Sequence, residues 1–119
     1  MIVYGIKSCD SVKKATTWLT KHKIPFTFYD YKATGITASK LKSWSQQIGW
    51  ESFLNKKSTT WRGLDPKTQS TVTNEKAAIQ VMTENTSLIK RPLLERDGKV
   101  IALGFNEQEY ERILKSGKA

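Results

Sequence analysis

The first thirty residues set the strictest limit on the fold. Ile2-Val3-Tyr4-Gly5-Ile6 is a short apolar run rich in β-branched residues, the pattern of a buried strand. Phe26 to Tyr31 alternates and reads as a second strand. Between them Val12, Ala15, Thr16 and Leu19 recur at helical spacing, with Asp10 or Ser11 as the expected N-cap and Pro25 closing the region. Two strands joined through one helix in so short a stretch predict a parallel βαβ unit with a right-handed crossover.

The far end of the chain returns to strand. Leu93-Leu94-Glu95-Arg96 and Lys99-Val100-Ile101-Ala102-Leu103 flank Asp97-Gly98, a two-residue hairpin signal because both turn positions need positive φ. Asn106 with Glu109 resembles a capping box and opens a last helix through Ile113 and Leu114. The stretch from about 33 to 88 has helical character instead. Thr37 caps a helix carrying Leu41, Trp44 and Ile48 that Gly49 ends; Trp50 to Leu54 reads as a short helical turn. Asp65-Pro66 starts another helix, and Thr73 or Asn74 opens one with Ala78, Val81 and Met82 on one face. Trp18, Trp44, Trp50 and Phe53 fall at helical positions and are assigned to the core. The order βαβ, helical insert, ββα predicts one mixed four-stranded sheet with helices on its faces, an α/β thioredoxin-like fold in a single domain over 1–119.

Composition narrows the function. The chain has 119 residues, room for one core. No run approaches the roughly 18 apolar residues of a membrane helix, and the N-terminus lacks a basic segment followed by a long apolar one. A cytoplasmic protein without membrane attachment is expected. A single cysteine excludes an internal disulfide, a CxxC dithiol and a cysteine-based zinc site, and a single histidine, His22, argues against a histidine-rich metal site or a Ser-His-Asp triad. His22 falls near the end of the first helix, where its charge complements the helix dipole. No bound cofactor or metal is expected. Twenty basic residues against 11 acidic ones give +9, which attracts anions. The basic residues are spread along the chain rather than gathered in a stripe, and no stacking motif accompanies them, so nucleic acid is not the expected partner.

Chemistry concentrates at Cys9. It lies in the loop between the first strand and the first helix, where free backbone N–H groups and the positive helix end favour a thiolate. Lys13 and Lys14 add positive charge in the following turn; Asp10 opposes them. A lone cysteine is commonly an inert core residue, but the flanks Lys7, Ser8, Asp10 and Ser11 are all polar. Arg91-Pro92 precedes the third strand, and in this fold that position faces the first βα loop. Arg91 there is placed to hold an anion or carboxylate beside the sulfur by paired hydrogen bonds. Arg62, in the insert loop Thr59-Thr60-Trp61-Arg62-Gly63, is a third candidate, although nothing in its residues alone selects it over other surface arginines.

Tyr4-Gly5-Ile6-Lys7-Ser8-Cys9-Asp10-Ser11-Val12-Lys13-Lys14-Ala15 resembles the N-terminal signature of the ArsC (arsenate reductase)/Spx-like family, in particular its YffB-like branch. The resemblance continues through Thr59-Thr60-Trp61-Arg62, Leu88-Ile89-Lys90-Arg91-Pro92-Leu93-Leu94 and Val100-Ile101-Ala102-Leu103-Gly104-Phe105. It implies a thioredoxin-like core with an inserted helical lobe and Cys9 as nucleophile. It further implies Arg91 and Arg62 as oxyanion-binding arginines and Pro92 as a cis-proline; Ser11, Lys13 and Lys14, beside the helix start, join them as anion-binding candidates on their position alone. The arsenate reductases of the family place a further arginine after the Leu-Gly of the last strand; here Phe105 follows Leu103-Gly104. Spx-like regulators often carry a CxxC switch; here the fourth position is Val12. The resemblance therefore implies a monothiol oxidoreductase with glutathione as co-substrate and a glutaredoxin as possible partner; a monomer is expected. Two alternatives stand beside it: glutaredoxin-coupled arsenate reduction, and a non-enzymatic regulator that binds RNA polymerase.

Overall fold

The computed structural model describes residues 1–115; residues 116–119, which the sequence reading includes in its 1–119 domain, lie outside the described residues. The chain divides into two compact units, Met1–Asp30 with the chain from Arg91 onward, and Tyr31–Lys90. The helical stretch read as about 33–88 thus corresponds to a unit spanning 31–90.

The first unit holds the sheet. Strands β1 (Ile2–Gly5), β2 (Thr27–Asp30), β3 (Leu93–Arg96) and β4 (Lys99–Leu103) lie in the order β2-β1-β3-β4. β1 pairs parallel with β2 and antiparallel with β3, and β3 pairs antiparallel with β4. This is the mixed four-stranded sheet of the thioredoxin-like fold that the element order predicts. The β3–β4 turn is the expected two-residue hairpin, with Asp97 at φ 52° and Gly98 at φ 79°. Between the pairs Leu94↔Ala102 and Glu95↔Val100 the register shifts and leaves Ile101 as the extra residue, a bulge in β4.

Helix α1 (Asp10–Lys21) buries Val12, Ala15, Trp18 and Leu19, one stripe at helical spacing. Ala15, Trp18 and Leu19 meet Val3, Leu94, Tyr110 and Leu114 in a single apolar cluster. The Trp18 and Tyr110 rings stand edge to face at 5.5 Å, and Phe105 meets Tyr110 likewise at 5.1 Å. On alternate β1 positions Tyr4 is buried and donates to Glu95 Oε1 at 3.0 Å. Burial first, and then that hydrogen bond, keep the Tyr4 phenol protonated well above the ordinary tyrosine range.

The second unit is helical. Its elements are α2 (Tyr31–Thr34), α3 (Ala38–Ile48), α4 (Trp50–Phe53), α5 (Thr59–Arg62), α6 (Pro66–Thr71), α7 (Glu75–Glu84) and a 3₁₀ turn at Thr86–Leu88. Three of the caps are the expected ones or one of two expected: Thr37, Asp65 and Asn74 accept from the backbone N–H of Lys40, Lys67 and Ala77. Gly49 ends α3 at φ 81°. Trp44 and Phe53 pack edge to face, and Ser45 donates to Glu75 Oε2 at 2.6 Å, tying α3 to α7. Back in the first unit, α8 (Glu107–Tyr110) is capped by Asn106 and continues as a π-helical turn, Glu111–Lys115, which carries the expected Ile113 and Leu114. Among the described residues no helix is long and apolar enough to cross a membrane.

The seat of α1 on β1 depends on Gly5. A Cβ there would meet Val12 Cγ2 at 2.6 Å, inside contact distance. Gly5→Ala is expected to push α1 outward and cost roughly 1–3 kcal/mol of stability, read as a lowered urea midpoint; an unchanged midpoint would contradict this packing.

Candidate active site

After β1 the chain turns through Ile6-Lys7-Ser8 and reaches α1. Sequence alone points to Asp10 or Ser11 as the cap, but the structure moves it to Cys9, at φ −77° and ψ 130°. The reason is a backbone one. Cys9 N–H donates to the Ile6 carbonyl at 3.0 Å and closes the turn, and the Cys9 carbonyl accepts from Lys13 N–H at 3.0 Å as the first helical bond. Asp10 and Ser11 then fall within the first turn, both exposed. No side chain caps the helix. The N–H groups of Asp10, Ser11 and Val12 have no acceptor within the helix and point toward the cap, where Cys9 stands half-buried. Lys13 and Lys14 are exposed on the next turn.

The loop has an anchor that sequence reasoning misses. Lys7 N–H donates to Asp30 Oδ2 at 3.2 Å. Asp30 ends β2, directly across from Gly5 in the parallel register. No local pattern signals this bond, because its partners are separated by a whole crossover.

Arg91 and Pro92 belong to the same unit as Cys9. The register Tyr4↔Leu93 puts Pro92 and then Arg91 just beyond the last β1–β3 pair, at the sheet end where β1 gives way to the Cys9 loop. The Arg91–Pro92 peptide bond is cis. Pro92 is buried and Arg91 half-buried, and the Pro92 carbonyl accepts from Gly104 N–H at 2.7 Å, where Gly104 takes φ 82°. Phe105, the next residue, packs into the apolar cluster beneath Tyr110.

Arg62 belongs to the helical unit. Its segment is not the loop read from the sequence but the helical turn α5, because Ser58 accepts from Trp61 N–H at 3.1 Å and starts the helix. Arg62 is exposed; Trp61 is half-buried, with the Lys56 ammonium 5.4 Å from its ring centroid. Cys9, Ser11, Lys13, Lys14, Arg91 and Pro92 all belong to the sheet unit, with the Cys9 loop and the Arg91–Pro92 segment at the same sheet end, and Arg62 belongs to the other unit. Among the described residues no cluster of three or more His, Cys, Asp or Glu is arranged to hold a metal ion.

This architecture can be set beside known proteins, and the sequence matches the ArsC family over residues 4–113. The chain belongs to the ArsC family. A relative from Haemophilus influenzae, described as an uncharacterized protein, is 45% identical over 109 residues, covering 92% of this chain and 94% of its own. The global transcriptional regulator Spx 1 of Lactococcus lactis is 29% identical over 114 residues, covering 94% of this chain and 87% of its own. Among solved structures, a YffB protein superposes with a TM-score of 0.87 at 42% identity, covering 93% of this chain and 96% of that one. An arsenate reductase-related protein from Brucella melitensis gives 0.75 at 42% identity, covering 96% and 93%. An arsenate reductase from Vibrio cholerae, at 20% identity and a TM-score of 0.73 over 95% and 93% of the two chains, shares the fold.

Removing the Asp30 carboxylate tests the loop anchor. In Asp30→Ala, the Lys7 amide is expected to exchange with solvent at least tenfold faster by NMR hydrogen exchange, with the helical unit unaffected. Unchanged protection at Lys7 would show that the loop is held by other means.

Proposed function

We propose that this ArsC-family protein is a glutathione-dependent thiol oxidoreductase with Cys9 as its single nucleophile. The observation that carries the reading is the position of Cys9. Cys9 is the N-cap residue of a twelve-residue helix whose first N–H groups no side chain takes, at the sheet end shared with Arg91 and cis-Pro92. Helix-end dipoles favour negative charge by about 0.3–1 kcal/mol at exposed sites and more where water is excluded.

The chemistry follows from one thiol. The Cys9 thiolate attacks one sulfur of an acceptor's mixed disulfide with glutathione. The S–S bond breaks, the acceptor leaves as a thiolate, and Cys9 becomes disulfide-bonded to glutathione. A second glutathione thiolate then attacks that bond, restoring the Cys9 thiolate and leaving oxidised glutathione. Each turn consumes one free glutathione, the other half of the oxidised glutathione coming from the mixed disulfide itself, and no second protein cysteine is needed. Arg91 would hold a glutathione carboxylate, with Ser11, Lys13 and Lys14 adding donors and charge near the helix end. Arg62 is a further anion-binding candidate on the ground of the family resemblance. The cytosol, kept reducing by glutathione, suits such a cycle.

Arsenate reduction by the same thiolate, with glutaredoxin completing the cycle, is the reading that the arsenate reductase-like fold favours. The apolar packing of Phe105 weighs against it, since no cation can stand there. Likeness to Spx favours a third reading, a regulator that binds RNA polymerase without catalysis. One set of assays separates them. Glutathione-dependent reduction of hydroxyethyl disulfide is expected for the native chain and at least a hundredfold less for Cys9→Ser, with little or no arsenate-dependent glutathione oxidation. Equal turnover by Cys9→Ser would remove the enzyme reading, and polymerase recovered equally on both forms would favour the regulator.

A further inference from the structure

The face of α1 turned toward β2 carries a trough that, Lys13 apart, the catalytic cycle above leaves unused. Beside the Cys9 loop, a groove of about 360 Å³ is floored by Val12, Phe26 and Phe28 and rimmed by Lys7 and Lys13. Thr16 also lines it, but the Thr16 hydroxyl donates to the Val12 and Lys13 carbonyls, so its apolar part is what remains for a ligand. A second depression, of about 690 Å³, shares Thr16 and Phe26 with the first and runs on to Lys21. No carboxylate is among the residues lining either part.

Shape and charge together select an occupant. Between Val12 and Lys21 the helix rises roughly 14 Å at ~1.5 Å per residue, the length of about four residues of extended chain. A trough of that length, with an aromatic floor at the Cys9 end and lysines at both ends, suits a linear polyanion bearing one apolar group. The strand order adds direction. Arg91 and Pro92 stand on the β3 flank of β1 and the trough on the β2 flank, so the two arms of a disulfide attacked by Cys9 have separate places to go.

We propose that this trough binds the acceptor: an extended peptide segment with an apolar side chain next to its disulfide-bonded cysteine, followed by acidic residues. The apolar side chain lies on Phe26 and Phe28, and the carboxylates meet Lys7, Lys13 and Lys21. The assignment of the trough to the acceptor rests on the reading of Cys9 as the nucleophile, whereas the binding itself needs no turnover.

That independence shapes the test. The native chain, labelled with ¹⁵N, is titrated with acetyl-Ser-Phe-Glu-Glu-amide, in which serine replaces the reacting cysteine. The controls are acetyl-Ser-Phe-Lys-Lys-amide and acetyl-Ser-Gly-Glu-Glu-amide. The first peptide is expected to shift the amides of Lys7, Val12, Lys13, Thr16 and Lys21, and to bind at least several-fold more tightly than either control. Lys21→Glu should weaken it by roughly threefold or more, an effect that shrinks with added salt. Equal affinity for all three peptides, or shifts confined to other surfaces, would overturn the proposal. Binding as expected by a chain inactive with hydroxyethyl disulfide would keep the peptide site and remove its catalytic purpose. Turnover of that disulfide without selective peptide binding would do the reverse.

Discussion

Everything at the candidate active site hangs from the close approach of α1 to β1 at Gly5 and Val12. A helix can lie this near a strand only where the strand offers no side chain, and Gly5 offers none. Val12, Ala15 and Leu19 then reach the sheet directly, and Trp18 closes the cluster against Tyr110. With the helix seated, its first turn has one place to begin. Cys9 becomes the cap through the backbone bonds to Ile6 and Lys13 and not through any preference of cysteine for that position. Packing in the core thus decides where the thiol stands.

The charges around that thiol differ greatly in weight. Lys13 and Lys14 are exposed, and an exposed pair at 4 Å is worth about 1 kcal/mol in water and less in salt. The N–H groups at the helix start are fixed in direction and carry no side-chain entropy cost, so they act at full strength whenever the helix is formed. Arg91 is half-buried on a segment held by the Pro92–Gly104 backbone bond. Fixed dipoles therefore outweigh the exposed lysines at the start of α1, while lysines farther along the helix act on larger ligands through long-range attraction. The net charge of +9 supports that second role.

Local chemistry made much of this legible in the sequence. Thr37, Asp65, Asn74 and Asn106 cap helices because their side chains bond to a backbone group a few residues on, which sequence spacing reveals. Asp97-Gly98 demands its hairpin in the same way. The features that escaped are those decided at long range or by backbone alone. Cys9 makes no side-chain cap bond, so nothing marks it as the cap. Asp30 reaches Lys7 across the crossover, and Glu95, in a strand between Leu94 and Arg96, gives no sign that Tyr4 will hold it in the interior. The α5 turn was hidden by β-branched Thr59 and Thr60, which disfavour helix until Ser58 caps it. The candidate cluster of Cys9, Arg91 and Pro92 was readable because strand order alone brings their segments to one end of the sheet.

The central claim is that Cys9 alone carries the disulfide exchange, and the most direct measurement is the mass of the intact protein through one half-cycle. After exposure to oxidised glutathione and removal of the excess, the account predicts a single glutathione adduct, located on Cys9 by peptide mapping and discharged within minutes by reduced glutathione at neutral pH. A chain that acquires no adduct, or one whose adduct resists reduced glutathione, would contradict it.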